Sequence, residues 1–403
     1  MKILINCFVH INIQSDVCLF YNTLNGCLVR IVNLCFANIV KSSISSEEDN
    51  YLFSLADLSS KDVQLLIDSQ MGALIDSGKH PIQFMPKTNI DSLSTFLFSK
   101  RFDEIVKFDS NLAKKEMEYN SLMGRGVLSY LSILNIHYSS LTDEKYSLYQ
   151  HVYKQYLYPQ VSIASMINLE KIKRFIQDWR YIKRINLIVG DINEKDVVEI
   201  NNFIHFLKEK HVQIHIYGCI GNENILMKLT SDYLYCWVTS LDDNVCKENA
   251  VKNGYTLLGL ICSEDDFSMI EELCGEDNIF ACNTLQNEKF CTETSGYELN
   301  EITQEIISQT QIRTNTNLNL NLFGSLWIYP DNKVYSCPND KALGTIEKNT
   351  VRDVLYKEFT VSKSWFKIRA EYEPCKHCIY NALCPPLTNY ELFLGKTLCD
   401  QKC

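Results

Sequence analysis

With 403 residues, 46% of them hydrophobic, the chain is too long for one compact core and predicts two or three domains. Its net charge of −10 argues against a nucleic-acid partner and against binding to an acidic membrane surface. It has no run of about 18 apolar residues to span a bilayer, and polar residues interrupt its apolar start, so we expect a cytoplasmic protein without a signal peptide and with reduced cysteines.

Residues 1–86 predict a small α+β module. Period-two patterns predict three strands, over Cys7–Ile13, Val17–Tyr21 and Cys27–Val32. The polar stretch Ser42–Asn50 predicts a loop, and apolar residues at helical spacing predict a helix over Ser59–Ile75. The open edge of such a sheet can accept an extended peptide as an added strand, and the module can equally serve only for packing.

A repeating pattern of strands and helices follows a connecting helical region at residues 87–126. Strand-like runs start near positions 130, 185, 212, 233, 255 and 278. From the second start onward the steps are about 21 to 27 residues, the length of one strand plus one helix, which predicts a parallel sheet over residues 127–310. Two helices carry apolar stripes, with Asn168 and Asn193 as predicted N-caps. The fold class is α/β, a partial (βα)6 TIM-like barrel whose ligands bind at the carboxyl ends of the strands.

Beyond the sixth strand the pattern changes, and residues 311–403 predict a separate C-terminal extension. A helix is expected near Leu299–Ile307, and the alternation of Asn with Thr or Leu over Asn315–Leu322 predicts a strand. Two apolar runs flank Pro330–Lys333, which predicts a hairpin. A cysteine-rich tail follows.

Four cysteines in this tail have the spacing of a metal site, Cys-x2-Cys-x5-Cys-x14-Cys. They are Cys375, Cys378, Cys384 and Cys399. Two thiolates separated by two residues can bind the same metal centre. The two prolines after the third cysteine make the chain rigid where it leaves the site. Spacing alone leaves two cofactors open, a four-iron, four-sulfur (4Fe-4S) cluster and zinc.

A partial barrel followed by a hairpin and this tail resembles the radical S-adenosylmethionine (SAM) enzymes with a SPASM extension, which mature peptides and proteins. The resemblance covers about residues 120–403 and implies that Cys375, Cys378, Cys384 and Cys399 ligate one auxiliary 4Fe-4S cluster. The segment Leu383–Glu391 is similar to the tail of a Bacteroidales-type subfamily of pseudo-radical-SAM proteins. Asn332 and Cys337 match the family's Gly-x4-Cys step, with Asn in place of Gly where a positive φ is needed.

The chain departs from the family at the site of SAM cleavage. The family's Cys-x3-Cys-x2-Cys motif follows the first barrel strand, yet no cysteine occurs here between Phe36 and Gly218. The family's Gly-Gly-Glu step appears as Val189-Gly190-Asp191. Thr388 stands where a second auxiliary cluster needs a cysteine, which leaves Cys337 as an orphan or a partner of Cys403. We expect one metal site and no radical SAM activity.

Three other features of the sequence have both a functional and an ordinary structural interpretation. Tyrosines at helical spacing are interpreted as packing residues. One hypothesis is that they fill the volume an active enzyme gives to its cluster and SAM. They are Tyr146, Tyr149, Tyr153 and Tyr156. The lone histidines His137, His211 and His215 are interpreted as satisfied polar residues, not ligands or bases. The N-terminal module loosely resembles the leader-peptide recognition element fused to many peptide-maturation enzymes.

Together these observations predict a non-catalytic pseudo-radical-SAM/SPASM protein that assists the maturation of a ribosomally made peptide. Its partners would be the peptide precursor, an active radical SAM maturase, or both. Two alternatives remain open: an enzyme with altered chemistry at the barrel mouth, and a zinc-stabilised binding scaffold.

Overall fold

A computed structural model of the protein describes residues 1–45, 51–76, 131–149, 157–160, 166–177, 179–221, 223–242, 245, 247–282, 287–295 and 305–399. The fold is mixed α/β and is built on a nine-stranded, mostly parallel sheet. The predicted connecting region at 87–126 lies outside the described residues. Within the described part of the chain, no helix is both long enough and apolar enough to cross a membrane.

The six predicted strands are confirmed, and they pair in sequential order as parallel neighbours. They are β7 (Ile133–His137), β8 (Arg184–Ile188), β9 (Gln213–Cys219), β10 (Tyr233–Thr239), β11 (Thr256–Ile261) and β12 (Ile279–Ala281). Three further strands extend the sheet beyond β7. They are β13 (Ser325–Ile328), β14 (Lys333–Tyr335) and β15 (Gly344–Thr345). β13 runs parallel to β7, whereas β14 and β15 are antiparallel to their neighbours.

Eleven α-helices lie in the described residues. They are α1 (Leu34–Ser45), α2 (Ser60–Asp68), α3 (Leu169–Phe175), α4 (Glu194–Glu209), α5 (Glu223–Leu226), α6 (Lys247–Asn253), α7 (Glu264–Cys274), α8 (Glu288–Ser295), α9 (Gln309–Asn315), α10 (Val351–Lys357) and α11 (Asn389–Leu394). The predicted N-caps are confirmed. The side chain of Asn168 accepts a hydrogen bond from the Lys171 N–H, and Asn193 forms a capping box with Asp196.

Different groups of side chains pack against the two faces of the large sheet. On the face that we call the helix face, aliphatic side chains pack against the apolar stripes of the helices. On the opposite face, which we call the aromatic face, Tyr217, Trp237 and Leu258 pack with tyrosines from outside the sheet. Successive residues of a strand point to opposite faces, so each strand contributes to both layers.

The N-terminal part contains two three-stranded sheets instead of one. The predicted strands form the sheet of β2 (Val9–Gln14), β3 (Val17–Asn22) and β4 (Leu28–Val32). The second sheet was not predicted from sequence, and consists of β1 (Lys2–Ile5), β5 (Leu52–Ser54) and β6 (Gly72–Ile75).

Two local predictions in this part are wrong. Residues 42–45 belong to α1, not to a loop. The helix predicted to Ile75 ends at Asp68, because Gly72–Ile75 pairs with β1 and gains the hydrogen bonds of a sheet instead.

The predicted strand over Asn315–Leu322 is also wrong. Asn315 ends α9, and the following residues form turns. The Asn319 side chain donates to the Leu387 carbonyl oxygen at 3.0 Å and accepts from the Asn321 N–H at 3.0 Å. Asparagine side chains that bond the backbone in this way compete with a strand ladder, so the period-two pattern does not produce one. Most of the helix expected at Leu299–Ile307 lies outside the described residues.

The predicted hairpin around Pro330–Lys333 is confirmed as the antiparallel pair β13 and β14. Asn332 has a φ of +62° and so occupies the left-handed conformation expected of it.

Candidate functional site

The four tail cysteines, which we call the cysteine quartet, lie in one region of the C-terminal part. Cys375, Cys378 and Cys384 are buried, and Cys399 is half-buried. Burial raises the pKa of the Cys384 thiol to about 12, and the other three members of the quartet add to this rise electrostatically, while Arg369 opposes it. The other three thiols of the quartet therefore lie near enough to Cys384 to influence the pKa of its thiol.

The donor atoms of the quartet match the metals that the sequence predicts. Four thiols are the ligands that iron–sulfur clusters and structural zinc take. None of the described cysteines is in a disulfide. Yet among the described residues no three His, Cys, Asp or Glu side chains are placed to hold a metal ion. The quartet has the donor atoms that a thiolate-bound metal needs, and its four thiols lie in one region of the fold. Their sulfur atoms are not arranged in the geometry of a bound metal.

Several groups position the quartet. The Tyr380 N–H donates to Cys378 Sγ at 3.4 Å, as backbone amides often do to thiolate ligands. The Arg369 Nη1 lies 4.0 Å from Cys375 Sγ, and its Nε donates to the Pro385 carbonyl. The Asn315 side chain donates to the Cys384 carbonyl oxygen at 3.1 Å. These contacts hold the loop that carries three of the four thiols.

The N-terminal sheet packs directly on this loop, which no sequence signal predicted. Leu19 and Tyr21 of β3 form one buried cluster with Ile379, Leu383 and Cys384. The Asn12 side chain of β2 donates to the Ile379 carbonyl oxygen at 2.7 Å, across 367 positions of sequence.

Cys337 lies outside the quartet and bonds to the first residue of α11. Its thiol donates to Asn389 Oδ1 at 3.6 Å, and burial raises its pKa to about 12. Cys403, the partner considered for it, lies outside the described residues.

The carboxyl ends of β7 and β8 are closed by the loop that follows β7. The Thr142 N–H and hydroxyl both donate to Asp191 Oδ2, the former at 2.7 Å. The Gly190 N–H donates to Ser139 Oγ at 3.0 Å. A Cβ atom on Gly190 would lie 2.3 Å from the Ser140 carbonyl carbon, so the two loops are in backbone contact. The loop after β7 therefore contacts the loop after β8 directly at Gly190 and Asp191.

Tyrosines cover the aromatic face next to this closed end. Tyr146 and Tyr149 lie on a 3-10 turn over Glu144–Tyr149 and are buried with Tyr158 against Cys219 and Trp237. The Tyr146 hydroxyl donates to Asp242 Oδ1 at 3.0 Å. The packing role predicted for these two tyrosines is confirmed, while Tyr153 and Tyr156 lie outside the described residues.

The histidines have different surroundings. His137 is buried and stacks on Tyr329, with ring centroids 4.3 Å apart. His211 is exposed and follows α4 with a φ of +58°. His215 stacks on Tyr233, but its Nε2 has no hydrogen-bond partner among the described residues. His215 also lines a cavity on the aromatic face.

Neither a family model nor a curated protein matches this sequence.

Proposed function

We propose that the chain is a non-catalytic protein of the radical-SAM/SPASM kind that assists the maturation of a ribosomally made peptide in the cytoplasm. In this proposal the parallel sheet is a partial (βα)6 barrel, and residues 311–403 are its SPASM-like extension. The proposal is supported by one combination of features: the carboxyl ends of β7 and β8 are closed, while the cysteine quartet is retained.

The closed strand end argues against SAM cleavage by this chain. Such cleavage needs three thiolates beside the first barrel strand and an open position for SAM. The sequence has no cysteine between Phe36 and Gly218, and the Thr142 to Asp191 bonds and the Gly190 contact occupy that position. Tyr146 and Tyr149 fill the adjoining volume.

The cysteine quartet supports a retained metal centre. Cys375, Cys378, Cys384 and Cys399 would hold one 4Fe-4S cluster, or zinc in the alternative. Bound there, the metal would stabilise the loop and, as a cluster, could carry an electron. Arg369 would hold positive charge beside the anionic thiolates, and Tyr380 would donate its N–H to one of them.

The N-terminal sheet supports a peptide-binding role. β4 is an edge strand of the β2–β3–β4 sheet, with Arg30 and Val32 exposed. The opposite edge, β2, is engaged by the loop of the quartet through Asn12. An extended leader peptide would therefore add to β4, while the other side of the sheet anchors the module to the metal loop.

Metal analysis tests the proposal. The chain is purified without oxygen, and iron, sulfide and zinc are measured per chain. We expect brown protein with iron and sulfide, and loss of both in Cys378→Ser. Cys274→Ser, a buried cysteine on α7 outside the quartet, is the control and should retain the metal. Colourless protein with stoichiometric zinc would support the scaffold alternative and remove an electron-transfer role.

A SAM assay tests the non-catalytic part. We expect no deoxyadenosine release and no calorimetric heat of SAM binding from the reconstituted protein. Deoxyadenosine release would overturn the proposal. Affinity purification from the native cell should recover a peptide precursor or an active maturase, and an unrelated set of partners would remove the maturation role even with the cluster confirmed.

A further inference from the structure

A cavity of about 540 Å³ lies on the aromatic face, between the sheet and the C-terminal extension. Its volume is in the range of small-molecule sites in proteins. Arg184 and His215, near the starts of β8 and β9, line it, so it reaches the amino-terminal half of these strands. It also reaches Leu260 and Ala281, near the carboxyl ends of β11 and β12. It is thus separate from the closed carboxyl ends of β7 and β8.

Aromatic rings form a large part of the cavity wall. Tyr217 and Tyr235 stack with centroids 4.8 Å apart and an interplanar angle of 11°. Trp237 packs edge-on against Phe280 and is held by a hydrogen bond from its Nε1 to the Leu157 carbonyl oxygen at 3.0 Å. A row of rings fixed in this way presents flat apolar surface and loses little entropy when a planar molecule binds.

The described residues that line the cavity carry positive charge only. Arg184 is the only charged side chain among the described residues that line it, and no carboxylate is among them. The Arg184 Nε has no hydrogen-bond partner within the described part of the chain. Burial, and after it the positive charge of Arg184, lowers the pKa of His215, which keeps that ring neutral. A half-buried guanidinium with free donor capacity on an apolar wall is a site for an anion.

The C-terminal extension completes the cavity. Thr388, Asn389 and Tyr390, at the start of α11, line its remaining side. Their positions are held by a capping box between Thr388 and Glu391. The cavity therefore has a preformed wall on both sides, one from the sheet and one from a capped helix.

We propose that this cavity binds a small organic anion with a planar aromatic body, a carboxylate facing Arg184 and the ring against Tyr217, Tyr235 and Trp237. The hydrogen bonds of the carboxylate go to the half-buried guanidinium of Arg184, and the ring replaces water on apolar surface. The site is independent of the proposed metal centre and of the peptide-maturation role, since none of its lining residues belongs to the cysteine quartet.

Calorimetric titration of the full chain with 3-phenylpropionate tests the proposal, and 3-phenylpropionamide is the matched neutral probe. We expect the carboxylate to bind at least about tenfold more tightly than the amide, because a charge-assisted hydrogen bond is lost with the charge. Arg184→Met should remove this preference. Lys183→Met, which deletes an exposed positive charge one position earlier, should keep it.

Three controls keep the test decisive. Arg184→Lys should restore part of the preference, and the comparison of acid with amide on the native protein stands even if Arg184→Met fails to fold. Cys378→Ser should bind the carboxylate as the native chain does, which separates this site from the metal centre. Equal binding of acid and amide, or no binding of either probe at millimolar concentration, would overturn the proposal.

Discussion

Arg369 and Glu391 form a buried bidentate ion pair, with Nη1 to Oε1 at 2.9 Å and Nη2 to Oε2 at 3.2 Å. Their side chains are 4% and 2% exposed. Glu391 also accepts from the Thr388 and Leu398 N–H groups. One carboxylate thus connects the start of α11, the segment before Cys399 and the guanidinium beside Cys375.

Breaking this pair should be costly. Arg369→Met leaves an uncompensated buried carboxylate, so we expect the free energy of unfolding to fall by about 3 to 5 kcal/mol. Lys228→Met, which breaks an exposed pair with Glu194, should change it by less than about 1 kcal/mol. Urea unfolding followed by circular dichroism measures both. Similar effects of the two substitutions would show that the buried pair is not a structural centre of the extension.

Leu19→Ala, a substitution in the N-terminal sheet, should lower the stability of the protein and weaken metal binding by the quartet. Leu19 is fully buried against the loop that carries Cys384, so its truncation leaves a cavity and should cost about 2 to 5 kcal/mol. We also expect faster loss of metal to a chelator, because the loop loses its packing partner. Leu34→Ala, at a leucine that is 58% exposed, should change stability by no more than about 0.5 kcal/mol and leave metal loss unaltered.

Gly190→Ala tests the closed strand end. The added methyl group would meet the backbone of Ser140 and Leu141 at 2.3 to 2.8 Å, so the two loops must separate, at a cost of about 3 kcal/mol. Gly254→Ala is the comparison: its Cβ has open space and only its φ of +75° opposes the change, at a cost of about 1 kcal/mol. Thermal unfolding gives the ranking, and a smaller effect at Gly190 would contradict the loop contact.

Glu358 predicts a pH dependence of stability. It is fully buried, and burial raises its pKa above the ordinary 4.5, although Ser336 and the Trp365 N–H donate to it. As pH rises above 4.5, the unfolded chain releases this proton first. The unfolded state is then favoured, so the native protein loses stability until the raised pKa is passed.

Glu358→Gln isolates this effect, because the amide does not titrate. Its oxygen can accept from the Trp365 N–H, and its NH2 group can donate to the Ser336 hydroxyl. The free energy of unfolding of the variant minus that of the native protein should be larger at about pH 8 than at about pH 5. Urea unfolding at both pH values measures the difference. A difference that is independent of pH would mean that the carboxyl has the same pKa in both states.

Local features of this fold follow from the sequence by itself. The spacing of apolar runs was sufficient to find β7 to β12, and Asn168 and Asn193 cap the predicted helices. Asn332 adopts the predicted positive φ. Each of these depends on a residue's own backbone preference or on neighbours within a few positions, which the order of residues records directly.

Only the tertiary structure decided which distant segments meet. The Asn315–Leu322 pattern failed as a strand because its asparagines bond the tail some 68 residues later. The contact of Asn12 with Ile379, the Arg369 pair with Glu391, and the cavity around Arg184 join segments with no shared periodicity. The spacing of the quartet predicted the candidate ligands. Packing determines how near their sulfur atoms lie and which charges surround them, because distance and charge depend on the arrangement of the whole chain.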